Sequence, residues 1–219
     1  MSSFRCRFLA LVFALCASHF VHAASSERLN DRQTLKALSH SEPQRRIAGL
    51  QRLLKVGTTK DAGLVYPLLG DADPAVRHAA LATTWQLWGK SGDPAIDKLY
   101  REGLDLMRGG DMPKAIEVFS AITAKRPQFA EAWNKRATIH YMTGEYELSM
   151  RDCEEVLKRL PQHFGALVGY AQMLADRDQP DRALDLMERA RKVNPYLANA
   201  DLMMEALRIQ IETNRKNLL

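Results

Sequence analysis

Residues that usually carry chemistry are scarce in this chain. It has three cysteines in 219 residues, and two of them, Cys6 and Cys16, fall near the start. Without that segment only Cys153 remains, and a lone cysteine cannot close an internal disulfide. Beyond residue 23 the histidines are His40, His78, His140 and His163, too far apart to form a metal-spaced pair. With a single cysteine, no zinc site of the usual kind can be assembled either. Asp71 and Asp73 resemble the opening of a calcium loop, but the glycine and the distant glutamate such a loop needs are missing, so they read as turn and cap residues. No nucleophile elbow, phosphate loop or dinucleotide fingerprint is present. These absences predict no cofactor, no metal site and no catalytic residue, hence a protein that is not an enzyme. Aromatic residues make up 7% and are spread thinly, so no aromatic-rich binding region stands out. The net charge of +5 falls to +3 without Arg5 and Arg7, and the remaining bases form no run, so nucleic acid is not an expected partner. Gly (12) and Pro (9) stay below the level that marks low-complexity chains, and 46% apolar residues suffice for a packed core.

What is present begins with a segment that reads as processing rather than fold. Arg5 and Arg7 precede an unbroken apolar run from Phe8 to Ala17, and Val21-His22-Ala23 offers small residues where a signal peptidase reads. The run is too short to span a bilayer. Leu15 stands where a lipoprotein signal would need a small residue before Cys16, and continuous apolarity argues against an amphipathic transit peptide. Residues 1–23 are therefore predicted to be a signal peptide on an exported protein, periplasmic or secreted. No second apolar stretch follows, so no integral membrane span is expected after cleavage.

The strongest signal is a period of 34 residues. Pro127, Pro161 and Pro195 keep it, as do Ala115, Ser149 and Ala183, and also Phe119, Cys153 and Met187. So do Leu99, Trp133 and Leu167, and Gly103, Ala137 and Ala171. Small residues let paired helices approach closely, bulky ones fill the gaps between them, and each proline, which cannot continue a helix, forces the turn to the next unit. The pattern resembles the tetratricopeptide repeat, with units at 96–129, 130–163 and 164–197. The middle unit departs from it at Arg136, His140 and Cys153, where Leu, Tyr and Phe are usual. One unit cannot bury its own apolar stripe, so three are the minimum. Residues 198–219 are predicted to cap the array, with Leu202, Ala206 and Ile209 on the packed face, and Asp201, Glu205, Arg208 and Glu212 on the wet one. Met203, Leu207 and Ile211 would then be left over as apolar residues that a partner could cover.

A weaker period of 31 residues precedes this. Residues 34–57 align with 65–88, superposing Leu38 on Leu69, Pro43 on Pro74, Arg46 on Arg77, Ala48 on Ala79 and Leu50 on Leu81. The stretch 68–80 resembles a HEAT repeat, which implies that an Asp opens the second helix, Pro takes its first turn and an Arg links neighbouring units. The HEAT-like segment is assigned to 24–93, joined at Gly89–Pro94 to tetratricopeptide units over 94–197. Trp85 and Trp88 are expected to seal the junction. The expected fold is all-α: a right-handed superhelical solenoid in which the two repeat types stack continuously.

In the resembled family the first helix of each unit lines the concave face. That implies a groove made of Tyr100, Arg101, Leu104 and Arg108, then Asn134, Lys135, Thr138, Tyr141 and Met142, then Val168, Gln172 and Ala175. Such a surface is mildly basic and tyrosine-bearing, with amides able to hydrogen-bond a peptide backbone. The expected function is a non-catalytic scaffold or adaptor of the cell envelope that holds a protein or peptide. The clamp that some family members use for chaperone tails does not match at Tyr100, Leu104, Lys135, Gly165 and Gly169. Two alternatives stand beside this reading. One is a structural protein that self-associates through its HEAT-like end; the other is a lyase-type enzyme or accessory subunit, by analogy with other HEAT-like proteins.

Overall fold

A computed structural model describes residues 32–217. The expected signal segment, 1–23, lies outside the described residues. Within them every regular element is helical. Helix α1 covers 32–38 and α2 covers Pro43–Val56. Two short 3-10 stretches follow, Thr59–Leu64 and Tyr66–Gly70. Then come α3 (Pro74–Trp88), α4 (Pro94–Arg108), α5 (Met112–Lys125), α6 (Ala130–Met142) and α7 (Tyr146–Arg159). The chain ends in α8 (Phe164–Ala175), α9 (Pro180–Val193) and α10 (Ala200–Lys216).

The starts of these helices follow from short-range chemistry. Asp73 accepts hydrogen bonds from the amides of Ala75 and Val76, and Asp93 does the same for Ala95 and Ile96, each ahead of a proline whose missing N–H is no loss in the first turn. The turn inside each repeat needs a left-handed residue. Gly110 and Gly144 supply it in the first two units at φ 81, and Asp178 occupies the same column in the third at φ 57. Asp178 is tied down there, because its carboxylate accepts from Gln210 and Asn214 of α10.

From α4 to α10 the helices pack as successive antiparallel pairs, α4 on α5, α6 on α7 and α8 on α9, with α10 closing on α9. Small residues set the helix spacing. A Cβ added at Gly103 would stand 2.7 Å from the Phe119 ring. Ser149 donates to the Ala137 carbonyl at 2.8 Å. The departures of the middle unit compensate one another. Arg136 donates to both oxygens of Asp152 at 2.7 Å and to Ser120 at 2.9 Å, tying α5, α6 and α7 together with a forked pair. His140 Nδ1 lies 2.7 Å from Glu145. Cys153 is a buried free thiol, as its column suggested. This is the expected all-α solenoid.

The first block does not extend that solenoid from its front. Its internal geometry does repeat at 31 residues. Arg46 donates to the carbonyls of His40 and Ser41, and Arg77 donates to those of Asp71 and Ala72. Arg46 also pairs with Asp71 at 2.7 Å, joining α2 to the next turn. But α3 pairs with α2 and the 3-10 turns, and then lies across the repeat array. Its start is beside the loop before α10: Gly70 faces Pro195, and the Arg77 guanidinium stacks 3.9 Å over Tyr196. Its end reaches the start of α8, where Trp88 stacks on His163 at 3.9 Å and Trp85 meets Phe164 at 5.3 Å. The two tryptophans do seal a junction, but with the third unit. The reason is apolar area. Trp88 and Phe164 are almost fully buried against one another, and this packing joins the first block to the later repeat helices in one core, while Ile96, Phe119 and Ile122 of the first unit belong to a separate cluster.

Candidate functional site

The first helices of successive units place equivalent side chains in rows along one inner face. With α10 included, the 34-residue rows are Tyr100–Asn134–Val168–Leu202, Arg101–Lys135–Gly169–Met203, Leu104–Thr138–Gln172–Ala206 and Met107–Tyr141–Ala175–Ile209. The first block covers one end of these rows and leaves the other open.

At the covered end lies a buried ionic cluster. Glu131 is 2% exposed and His163 is 0% exposed. His163 caps α8 by accepting at Nδ1 from the Ala166 amide, so its proton sits on Nε2 and is donated to Glu131 at 2.8 Å. The other contacts of Glu131 are Lys135 at 2.8 Å, Asn134 at 3.2 Å and the Tyr100 hydroxyl at 3.3 Å. Burial alone would push the Glu131 pKa up, but Lys135 and His163 outweigh it and hold the group at about 2. Burial and the same carboxylate push the Tyr100 hydroxyl far up. Nothing reactive is exposed here. The cluster fastens α4, α6, α8 and, through Trp88 on His163, α3.

This corrects three of the expected groove residues. Tyr100 and Asn134 are buried and face Glu131, so neither offers contact area to a partner. Lys135 is bound to Glu131 and sits 5.8 Å from the Trp85 ring, so it is not a free groove cation. Arg108 is paired with Asp105 on the surface. Arg101 and Thr138 are exposed, Leu104 and Val168 are half-buried, and Gln172 is exposed and bonded to Asp176 at 3.0 Å.

The cap helix is also turned relative to expectation. Ala200, Met204 and Leu207 are buried, with Met203 and Ile211 partly so, while Leu202 is 73% exposed and Ile209 57% exposed. Asp201, Glu205, Arg208 and Glu212 are exposed, as expected for the wet face, and Asp201 and Arg208 pair with Arg191 and Glu188 of α9. The open end of the rows is thus more apolar than the expected groove. Tyr141, Met142, Leu202 and Ile209 are all exposed, and Tyr141 packs edge-on against Tyr146 at 5.6 Å. On α8, which follows α6 and precedes α10 in the array, a Cβ added to Gly169 would meet nothing within 4 Å, so that helix surface is open there. Among the described residues no cluster of His, Cys, Asp or Glu could hold a metal ion, and no helix is long and apolar enough to cross a membrane.

Paired antiparallel helices at a 34-residue period, followed by a further helix with an exposed polar face, define an α-solenoid of helix–turn–helix units. Residues 100–163 match the tetratricopeptide repeat family. A TPR repeat-containing protein of Rhizobium etli is 32% identical over 128 residues, covering 58% of this chain and 63% of the relative. The chain therefore spans less than two thirds of that relative. Three solved structures share the fold. The MamA protein has a TM-score of 0.51 at 15% identity, over 73% of this chain and 87% of that one. The Sgt2 TPR domain of Aspergillus fumigatus has 0.51 at 20%, over 57% and 83%. The type III secretion chaperone SycD of Yersinia enterocolitica, in complex with a peptide of the translocator YopD, has 0.50 at 14%, over 54% and 95%.

Proposed function

We propose that the open end of the inner face docks an apolar segment of another protein, and that the chain is a non-catalytic interaction adaptor of the cell envelope. The observation that carries this reading is the exposure of four large apolar side chains, Tyr141 and Met142 at the end of α6 and Leu202 and Ile209 on α10, with open space over Gly169 on the intervening α8. Large apolar side chains left exposed on one face mark an interaction site more often than chance. Arg101 on α4 and Thr138 on α6 are exposed and supply polar groups beside it, and Leu104 on α4 and Val168 on α8 are half-buried. Support also comes from the Yersinia chaperone of the same fold, whose structure holds a peptide. Export rests on the charged start, apolar run and small-residue site of residues 1–23. Affinity capture from an envelope extract should recover a partner with the native chain and lose it with Tyr141→Ala combined with Ile209→Asp. Equal recovery by that variant would sink the groove assignment.

One observation favours a second reading, self-association through the first block. Leu35 and Val56 there are exposed at 47% and 58%. Light scattering over a concentration series tests it, and a monomer throughout excludes it.

A further inference from the structure

The first block makes a second concavity that a bare repeat array would lack. A cleft of 610 Å3 opens between the 3-10 turns and the turns that lead into α6 and α8. Three cations from three separate segments line it: Lys60, Arg126 and Arg159. No aspartate or glutamate is among its lining residues. Arg159 is fixed in place. It pairs with Glu155 at 2.6 Å, donates to the Pro127 carbonyl and stacks 4.7 Å over Trp133. Lys60 and Arg126 are exposed and form no ion pair among the described residues.

Two further features have the same electrostatic sense. Helix α6 begins in this wall at Ala130, and its N-cap, Phe129, has no side-chain oxygen to satisfy the first amides. No side chain caps this start, and the one acidic group of its first turn, Glu131, is held by Lys135 and His163 and does not line the cleft. Gln128 and Gln162, equivalent positions of successive units, add amide donors at the rim. The floor is different. Tyr66, Phe129 and Leu160 give it an apolar surface, with Tyr66 and Phe129 buried. Arg159 has its counter-charge in Glu155, whereas Lys60 and Arg126 bring none, so their charge is left for an anion that enters the cleft.

We propose that this cleft binds an organic anion with an apolar body. Its carboxylate or phosphate sits among Lys60, Arg126 and the start of α6, and its aromatic or aliphatic part lies on Tyr66, Phe129 and Leu160. A volume of 610 Å3 suits a metabolite-sized molecule, since small-ligand pockets run from roughly 300 to 1,000 Å3. The proposal is independent of the docking face, which lies at the other end of the inner rows. It also ties ligand binding to the first block, because Lys60 and Tyr66 come from that block and Arg126 and Phe129 from the repeats.

The test is titration of the purified chain, followed by amide chemical shifts, with four probes: 4-phenylbutyrate, phenyl phosphate, the neutral 4-phenylbutanol and inorganic phosphate. One of the two organic anions should bind and shift the amides of Lys60, Phe129 and Gln162, and the tighter of the two identifies the anionic group. The alcohol, lacking the charge, and inorganic phosphate, lacking the body, should each bind about tenfold or more weakly. Lys60→Ala with Arg126→Ala removes two exposed side chains, so it should keep the native melting temperature and lose about tenfold or more in anion affinity. Three results would each overturn the proposal: alcohol binding as tightly as the anions, shifts confined to other parts of the chain, or undiminished binding by the double variant.

Discussion

Glu131→Gln is the substitution that probes the assembled molecule most deeply. The native carboxylate is almost fully buried and held by Lys135, His163, Asn134 and Tyr100 across two repeat helices and the capping residue of a third. Its pKa is carried from 4.5 down to about 2 in the fold. That difference corresponds to about 3 kcal/mol of folding free energy at neutral pH. The sign is fixed by the direction of the shift. A carboxyl depressed on folding contributes fully above its unfolded value, and the contribution is lost as pH falls from about 4.5 towards 2. Glutamine preserves shape but removes the charge that Lys135 and His163 face. The variant should lose about 2–4 kcal/mol at pH 7, because breaking a buried pair leaves its partner uncompensated. For a domain of this size that lowers the melting temperature by roughly 5–15 °C. Urea denaturation of both proteins from pH 7 to pH 3 is the assay. The native chain should lose stability steeply below pH 5, and the variant should show a shallower loss. Equal stability at pH 7, or parallel profiles down to pH 3, would refute the role assigned to this cluster.

Three further outcomes follow from the same geometry. Trp88→Ala removes a ring with no exposed surface that stacks on His163, and should cost about 3–5 kcal/mol and make residues 57–93 sensitive to limited proteolysis; a loss under about 1 kcal/mol would contradict the packing of α3 on the third unit. Gly169→Ala should stabilise α8 by up to about 1 kcal/mol without affecting partner capture, whereas Gly169→Trp should stay folded and abolish it, because the added ring fills the open space there. Burial, with Asp152 and Glu154 nearby, pushes the Cys153 thiol up to about 12, so it should resist a thiol reagent at pH 8 until the chain is unfolded, and rapid labelling of the native protein would argue against its burial.

The repeat array was legible because its signal is redundant. Small residues at Gly103, Ala137 and Ala171 and prolines at Pro127, Pro161 and Pro195 report one geometry at one period. The middle unit's departures were legible as departures, but their remedy was not. Arg136 meets Asp152 sixteen positions on, and a single sequence does not reveal such a pairing. The cap helix shows a sharper limit. Leu202, Ala206 and Ile209 form one apolar stripe, and Ala200, Met204, Leu207 and Ile211 form another. Periodicity finds both and cannot choose between them, since that depends on how α10 meets α9. The 34-residue columns do choose. Leu202 continues the row of Val168, and Met204 falls among the positions that pack on the preceding helix. Extending those columns past residue 197 was the signal that could have found the open apolar face.

The path of the first block had no such signal. The short junction at Gly89–Pro94 is compatible with forward stacking, and Trp85 and Trp88 announce a large buried contact without naming its other side. The structure supplies His163 and Phe164 as that side, and so buries Tyr100 and Asn134. Glu131 was missed for a related reason. Its column holds Asp97 and Gly165 in the neighbouring units, which reads as a solvated position until α3 covers it. The block thus takes one end of the inner face for the chain itself and leaves the apolar end free.

Site-specific photocrosslinking in living cells tests the central claim, that this free end holds a partner. A benzophenone side chain at position 141 on the inner face is compared with one at position 117 on the second helix of the first unit, where Glu117 is exposed. A discrete adduct should form from position 141 and not from position 117, and Gly169→Trp should remove it. Adducts of equal yield from both positions, or from position 117 alone, would contradict the account.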